Sequence, residues 1–87
     1  MELEKYRIEI DRIDSEIAAL FAKRMAVAGE MGRYKKENGM SITDADRESE
    51  VVKNVRKSAG EYADYAAELY TKVFEISKKY QREAEKK

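Results

Sequence analysis

An apolar stripe along the first 34 residues constrains the fold of this 87-residue chain more than any other feature. Its spacing alternates between three and four residues, if Arg24 fills one gap, which is typical of one face of a long α-helix. Such a helix spans about 50 Å, whereas a globule of this size is roughly 25–30 Å across. The helix cannot bury its whole stripe within its own chain, so the sequence predicts a second protomer beside it. The stripe consists of Leu3, Tyr6, Ile10, Ile13, Ile17, Leu20, Val27, Met31 and Tyr34.

The composition is typical of an all-helical protein with solvated outer faces. Charged residues make up 41% of the chain, against roughly 25% in an average globular domain, and proline is absent. Eighteen basic residues balance eighteen acidic ones, so no net field favours binding to nucleic acid or to an anionic membrane. We expect a single domain over residues 1–87, and a core this small also favours oligomerisation.

The residue types that are missing exclude several kinds of site. Without cysteine or histidine, the chain has no disulfide, no thiol or imidazole nucleophile and none of the usual zinc ligands. Carboxylate-only sites for magnesium or calcium stay open, but no calcium-loop pattern is present, and no cofactor or metal is predicted. No signal-peptide pattern and no window of about 18 apolar residues is found, which predicts a cytoplasmic protein without membrane contact.

Breaks in the periodicity divide the chain into one long and two shorter helices. Asn38-Gly39 is a pair suited to a helix C-terminus. Thr43 or Asp44 is expected to cap the second helix, and Ser58-Ala59-Gly60 is expected to separate it from the third. The predicted helices span about 3–37, 44–57 and 61–84.

Polar residues that interrupt the apolar faces are the candidate functional positions. Arg24 lies within the stripe itself, where burial of a guanidinium is costly unless it meets an anion. The structural alternative for Arg24 is an ion pair with a neighbouring helix, or a side chain that reaches solvent. Arg7 and Lys35 lie at the edge of the stripe, where each alone is typical of surface charge. Arg47 and Glu48 begin the inward face of the second helix.

Packing of the three helices would bring these side chains to one cavity. Several cations with few acids form a poor structural network, but they suit a small dianion, because guanidinium groups match carboxylates. A carboxylate would then accept a hydrogen bond from a hydroxyl group of the ligand, and an amide would supply an uncharged hydrogen-bond donor. The residues predicted to converge are Arg24, Lys35, Arg47, Glu48, Ser77 and Gln81, with Arg7 from a second chain.

The order of these residues resembles the all-α chorismate mutase domain over roughly residues 3–82. Five segments carry the resemblance, and ITDADRE is the most specific of them. In one departure, Ser41 stands before Ile42 where members often carry proline, which affects the rigidity of that loop more than the site. The five segments are RIEIDRID (7–14), LFAKR (20–24), GRYK (32–35), ITDADRE (42–48) and SKKYQ (77–81).

The resemblance implies an enzyme that isomerises chorismate to prephenate by an intramolecular Claisen rearrangement. This reaction needs no cofactor, metal or covalent catalysis. The family fold is an intertwined helical homodimer in which the long first helices pair. By similarity, Arg24 and the partner's Arg7 hold the two carboxylates of the substrate and so select its compact conformer. Domains of this kind occur alone or fused to later enzymes of aromatic amino-acid synthesis.

The remaining roles also follow from the resemblance. Lys35 and Gln81 are expected to donate to the ether oxygen, where negative charge develops as the bond breaks. Glu48, with the Asp44 region, is expected to accept a hydrogen bond from the ring hydroxyl. The carboxylate end is completed by Arg47 and Ser77, and Arg47 is also a candidate to orient Glu48.

Two other interpretations stay open. An isochorismate-pyruvate lyase has the same fold and a similar cationic pocket, and release of pyruvate from isochorismate would distinguish it. A non-catalytic helical dimerisation or regulatory module explains the stripe equally well. It leaves four inward polar residues without a role: Arg24, Arg47, Glu48 and Gln81.

Overall fold

A computed structural model describes residues 1–85 of the chain, and Lys86 and Lys87 lie outside the described residues. Three α-helices account for most of the described part, which contains no β-strand. The predicted all-α fold with one long and two shorter helices is therefore confirmed. No helix in the described range has an apolar stretch sufficient to cross a lipid bilayer. The helices are α1 (Glu2–Glu37), α2 (Ala45–Ala59) and α3 (Ala63–Glu85), with a 3₁₀ turn at Gly60–Tyr62 between α2 and α3.

The loop between α1 and α2 begins and ends as the residue types predict. Asn38 ends α1, and Gly39 follows it with φ of 63°, a left-handed conformation that glycine adopts without steric cost. Asp44 rather than Thr43 caps α2. Its carboxylate accepts a hydrogen bond from the backbone N–H of Arg47 at 3.0 Å, which satisfies one of the free donors at the helix start.

The second break lies slightly later than the sequence predicts. α2 extends two residues past Lys57 to Ala59, because neither Ser58 nor Ala59 prevents helical backbone. The helix ends at Gly60, whose φ of 59° leaves the helical region. The 3₁₀ turn then leads into α3, so the third helix begins at Ala63 rather than near residue 61.

α3 is the central element, because α1 and α2 both pack against it while their own backbones remain apart within the described residues. Two glycines allow α1 to approach α3 closely. A Cβ atom on Gly29 would lie 2.8 Å from the ring of Tyr80, and one on Gly32 would lie 3.1 Å from the Cα of Gln81. The contact fixes the C-terminal half of α1 beside the last turns of α3.

The N-terminal half of α1 extends beyond this contact, and the molecule is elongated. It measures 56 × 27 × 14 Å with a radius of gyration of 15.9 Å, against about 12 Å for a compact chain of this length. Its accessible surface is 7259 Å², roughly 2,000 Å² more than the scaling for a compact monomer of this mass. All nine apolar residues of the stripe are exposed, from 44% at Met31 to 64% at Leu20. The single chain therefore leaves its stripe uncovered, as predicted.

Candidate functional site

The three helices and the loop after α1 surround an open cavity of about 500 Å³. This volume lies within the range of about 300–1,000 Å³ that is usual for small-molecule sites. Each helix contributes both polar and apolar side chains to its walls. The polar lining consists of Arg24 and Lys35 from α1, Asp44, Arg47 and Glu48 from the start of α2, and Ser77, Lys78 and Gln81 from α3. The apolar lining consists of Val27, Ala28, Met31, Ile42, Val51 and Phe74.

Seven of the eight residues that the sequence predicts for a site lie around this cavity, and Arg7 is the exception. Arg7 is exposed on the N-terminal half of α1, where Glu4 is its nearest acid at 4.0 Å. Seventeen residues separate it from Arg24, which is about 25 Å along a helix axis. Arg7 therefore cannot reach the cavity of its own chain.

The charge of the cavity suits an anion with two negative charges. Four cations and two carboxylates line it, so its formal excess is two positive charges. Arg24 is half-buried, and its guanidinium lies over the ring of Tyr70 at 5.7 Å from the centroid, a favourable cation–π distance. Arg24 has no salt bridge within residues 1–85, so the ion pair considered from the sequence is not found there.

Lys35 joins the cavity to the loop between α1 and α2. Its Nζ atom donates a hydrogen bond to the backbone carbonyl of Ile42 at 3.1 Å. An ammonium group has three donors, so two remain for a ligand. The bond also anchors the loop next to Ser41.

Ser77 and Gln81 form a buried polar pair on adjacent turns of α3. Their exposed fractions are 5% and 3%, and Gln81 Nε2 donates to Ser77 Oγ at 3.2 Å. Gln81 Oε1 is buried without a hydrogen-bond partner among the described residues. A buried polar atom in this state costs about 1–3 kcal/mol. Rotation of the amide by 180° exchanges its two ends. In that orientation Ser77 donates to Oε1, and Nε2 takes the buried place that Oε1 has here.

One cavity residue, Lys78, was missed by the sequence analysis. Its Nζ atom lies 3.0 Å from Oε2 of Glu48. Arg47, the candidate partner of Glu48, instead pairs with Glu50 one turn further along α2. The expectation that Arg47 orients Glu48 is therefore replaced by the Lys78 contact. The sequence did contain a signal for this position. Lys78 lies three residues before Gln81, so the two side chains share one face of the helix.

The cavity offers chemistry by charge and hydrogen bonding rather than by a nucleophile. Its lining contains no cysteine or histidine. No group of three or more potential metal-ligating side chains is found in the part of the chain that the structure describes. Cationic donors on two sides, an amide and a carboxylate acceptor can bind, orient and polarise a small dianion.

Comparison with known proteins agrees with this arrangement. Residues 6–82 match the family Chorismate mutase type II. The chain belongs to this family. All eight predicted site residues, Arg7 included, fall within the part of this chorismate mutase domain that matches.

Two curated relatives of the domain illustrate its place in the family. It is 30% identical over 82 residues to the T-protein of Haemophilus influenzae, covering 94% of this chain and 21% of that protein. It is 31% identical over 75 residues to the chorismate mutase of Methanocaldococcus jannaschii, covering 86% of this chain and 75% of that protein. The chain thus spans about a fifth of the first relative and three quarters of the second. No solved structure matches it.

Proposed function

We propose that this chain catalyses the Claisen rearrangement of chorismate to prephenate in the cavity between its three helices. The observation that carries the proposal is the cavity's charge: two positive charges in excess, next to an amide and a carboxylate, in a chain of the chorismate mutase family. Chorismate is a dicarboxylate with an ether oxygen and a ring hydroxyl. The cavity offers a group for each of these features.

The two carboxylates are assigned to the arginines. Arg24 lines the cavity with its guanidinium over the ring of Tyr70, and Arg47 lies at the start of α2. Binding both carboxylates brings the enolpyruvyl side chain over the ring. This conformer is the reactive one. Because binding restricts the internal rotations of the substrate before the reaction starts, the activation barrier is lower.

The ether oxygen is assigned to Lys35 and Gln81. Negative charge grows on this oxygen as its bond to the ring breaks, so donors aimed at it are stronger in the transition state than in the ground state. Lys35 has two ammonium donors free. For Gln81 we assign the orientation in which Ser77 donates to Oε1 and Nε2 faces the substrate, since it also satisfies the buried Oε1 atom.

The ring hydroxyl is assigned to Glu48 as acceptor. The Asp44 carboxylate is engaged as the cap of α2, so it contributes chiefly by fixing the helix start beside Glu48. None of these roles requires a nucleophile. An acceleration of about 10⁶-fold corresponds to about 8 kcal/mol, a demand that several charge-assisted hydrogen bonds in a partly enclosed cavity can meet.

A homodimer would complete the site. The uncovered stripe, together with Tyr65 and Leu69 of α3 at 74% and 59% exposure, leaves a large apolar surface. The surplus of roughly 2,000 Å² of accessible surface per chain is comparable to the area that obligate dimers bury in their interfaces. If two α1 helices pair antiparallel along the stripe, the N-terminal half of each lies beside the partner's cavity. We place Arg7 there, as a third contact for the substrate carboxylates.

The cytoplasmic location stays a prediction from the sequence.

The first test is the loss of chorismate absorbance with purified protein, with prephenate identified as the product. Lys35→Ala should remove most of the activity, and Lys23→Ala, an exposed lysine outside the cavity, should retain it. An active wild type with an equally active Lys35→Ala variant would remove Lys35 from the site. If chorismate is unchanged by a folded dimer, pyruvate release from isochorismate should be measured next. Pyruvate would establish the lyase, and its absence would favour a binding module.

A further inference from the structure

The contact between Lys78 and Glu48 is a partly buried ion pair. The two side chains are 25% and 29% exposed, whereas both partners are at least 44% exposed in the pairs Arg7–Glu4, Arg47–Glu50, Arg56–Asp64 and Lys72–Glu75. Ion pairs at exposed positions contribute little, because water and salt screen them. The interaction between Lys78 and Glu48 is screened less, since it lies at the wall of a cavity.

This pair also separates the cavity from a second depression. Glu48, Lys78 and Phe74 line both the cavity and a groove on the outer side of α2 and α3. The contact between Lys78 and Glu48 therefore lies at the boundary between the two depressions. Its bond to Oε2 leaves the other carboxylate oxygen for a group inside the cavity.

The charge balance indicates that Lys78 does not itself bind the dianion. Lys78 and Glu48 neutralise one another, and the remaining cations are Arg24, Lys35 and Arg47 against Asp44. The excess of two positive charges therefore resides in the groups outside this pair. A glutamate side chain has three rotatable bonds and samples several rotamers when nothing holds it. The contact with Lys78 restricts that freedom at the residue that must accept the ring hydroxyl.

We propose that Lys78 is a positioning residue that holds Glu48 in the orientation in which its free oxygen accepts the ring hydroxyl of the substrate. This inference rests on the proposed function. It makes Lys78 a determinant of specificity for the hydroxyl group, and it separates that role from binding of the carboxylates.

Kinetics provide the first half of the test. Lys78→Met should lower kcat/KM about tenfold, because the hydroxyl contact weakens when Glu48 moves. Lys78→Arg should remain within about threefold of wild type, since it keeps a cation of similar reach. Lys79→Met is the matched control, because Lys79 is its exposed neighbour outside the cavity. Lys78→Gln, a polar replacement, serves as a second variant if Lys78→Met does not fold.

Binding provides the second half, since a merely structural role would not depend on one group of the ligand. The probes are two bicyclic ether dicarboxylates that mimic the compact substrate, one with the ring hydroxyl and one without it. Titration calorimetry should show that Lys78→Met weakens binding of the hydroxyl-bearing compound about tenfold and leaves the other unchanged. An equal loss for both compounds, or no loss for either, would overturn the inference. A wild type that neither binds the probes nor converts chorismate would instead contradict the proposed function.

Discussion

The side-chain amide of Gln81 lies 3.2 Å from the hydroxyl of Ser77, one turn earlier on α3, and both side chains are buried. The hydroxyl can donate as well as accept, so Ser77 can hold either end of the amide. In the proposed site, the orientation with Ser77 donating to Oε1 is the one that turns Nε2 toward the substrate. The catalytic role proposed for Gln81 thus depends on Ser77, a residue that the sequence assigned to the carboxylate end of the substrate.

Ser77→Ala tests this dependence. Loss of the hydroxyl frees the amide to rotate and leaves one of its buried atoms without a partner, so we expect kcat to fall about 10- to 100-fold. Ser58→Ala, an exposed serine near the end of α2, is the control and should be unaffected. The measurement is kcat and KM for chorismate. A rise in KM with unchanged kcat would return Ser77 to a role in carboxylate binding alone.

The pH dependence of the rate tests Gln81 itself. An amide does not titrate, so the wild-type rate should be flat across neutral pH. In Gln81→Glu the donor is the protonated carboxyl group, whose ordinary pKa is about 4.3. The rate of the variant should therefore be highest in acid and fall as pH rises through that pKa. A wild-type rate that falls steeply through neutrality, or a flat profile for Gln81→Glu, would contradict the assignment.

Much of the fold could be predicted from the sequence, because helical periodicity, Asn38-Gly39 and the capping residues are local signals. The end of α2 was less predictable, since Ser58 and Ala59 are compatible with helix and only Gly60 ends it. Lys78 was missed for a different reason. A lysine beside charged residues on an amphipathic helix is usually solvated, and its contact with Glu48 depends on how α2 and α3 pack.

The two glycines of α1 should differ in their response to alanine. At Gly32 the new methyl group would lie 3.1 Å from the backbone of Gln81, which cannot move without shifting α3. At Gly29 it would meet the ring of Tyr80, whose outer atoms can rotate away. Overpacking costs about 1–3 kcal/mol, against a gain of about 1 kcal/mol in helix propensity. Thermal unfolding should show Gly32→Ala less stable than Gly29→Ala, and the reverse order would contradict the close contact with Gln81.

The apolar stripe should hold the proposed dimer together. Ile17→Asp places a charge in the centre of the stripe, and we expect it to give monomers by sedimentation and to lose activity, because burial of an unpaired carboxylate is costly. Ser15→Asp, on the opposite face of the same helix turn, should remain dimeric and active. A monomeric but fully active Ile17→Asp protein would show that the cavity functions without a second chain.

Exchange of subunits between two inactive variants tests whether Arg7 crosses the interface. In a dimer of one Arg7→Ala chain and one Arg24→Ala chain, one cavity carries both substitutions and the other carries neither. An equal mixture of the two chains, unfolded and refolded together, should therefore recover about a quarter of wild-type activity, since half of the dimers are mixed and each has one intact site. If Arg7 acted within its own chain, every site in the mixed dimer would carry one substitution. The mixture would then be as inactive as its components, and the crossed arrangement would be wrong.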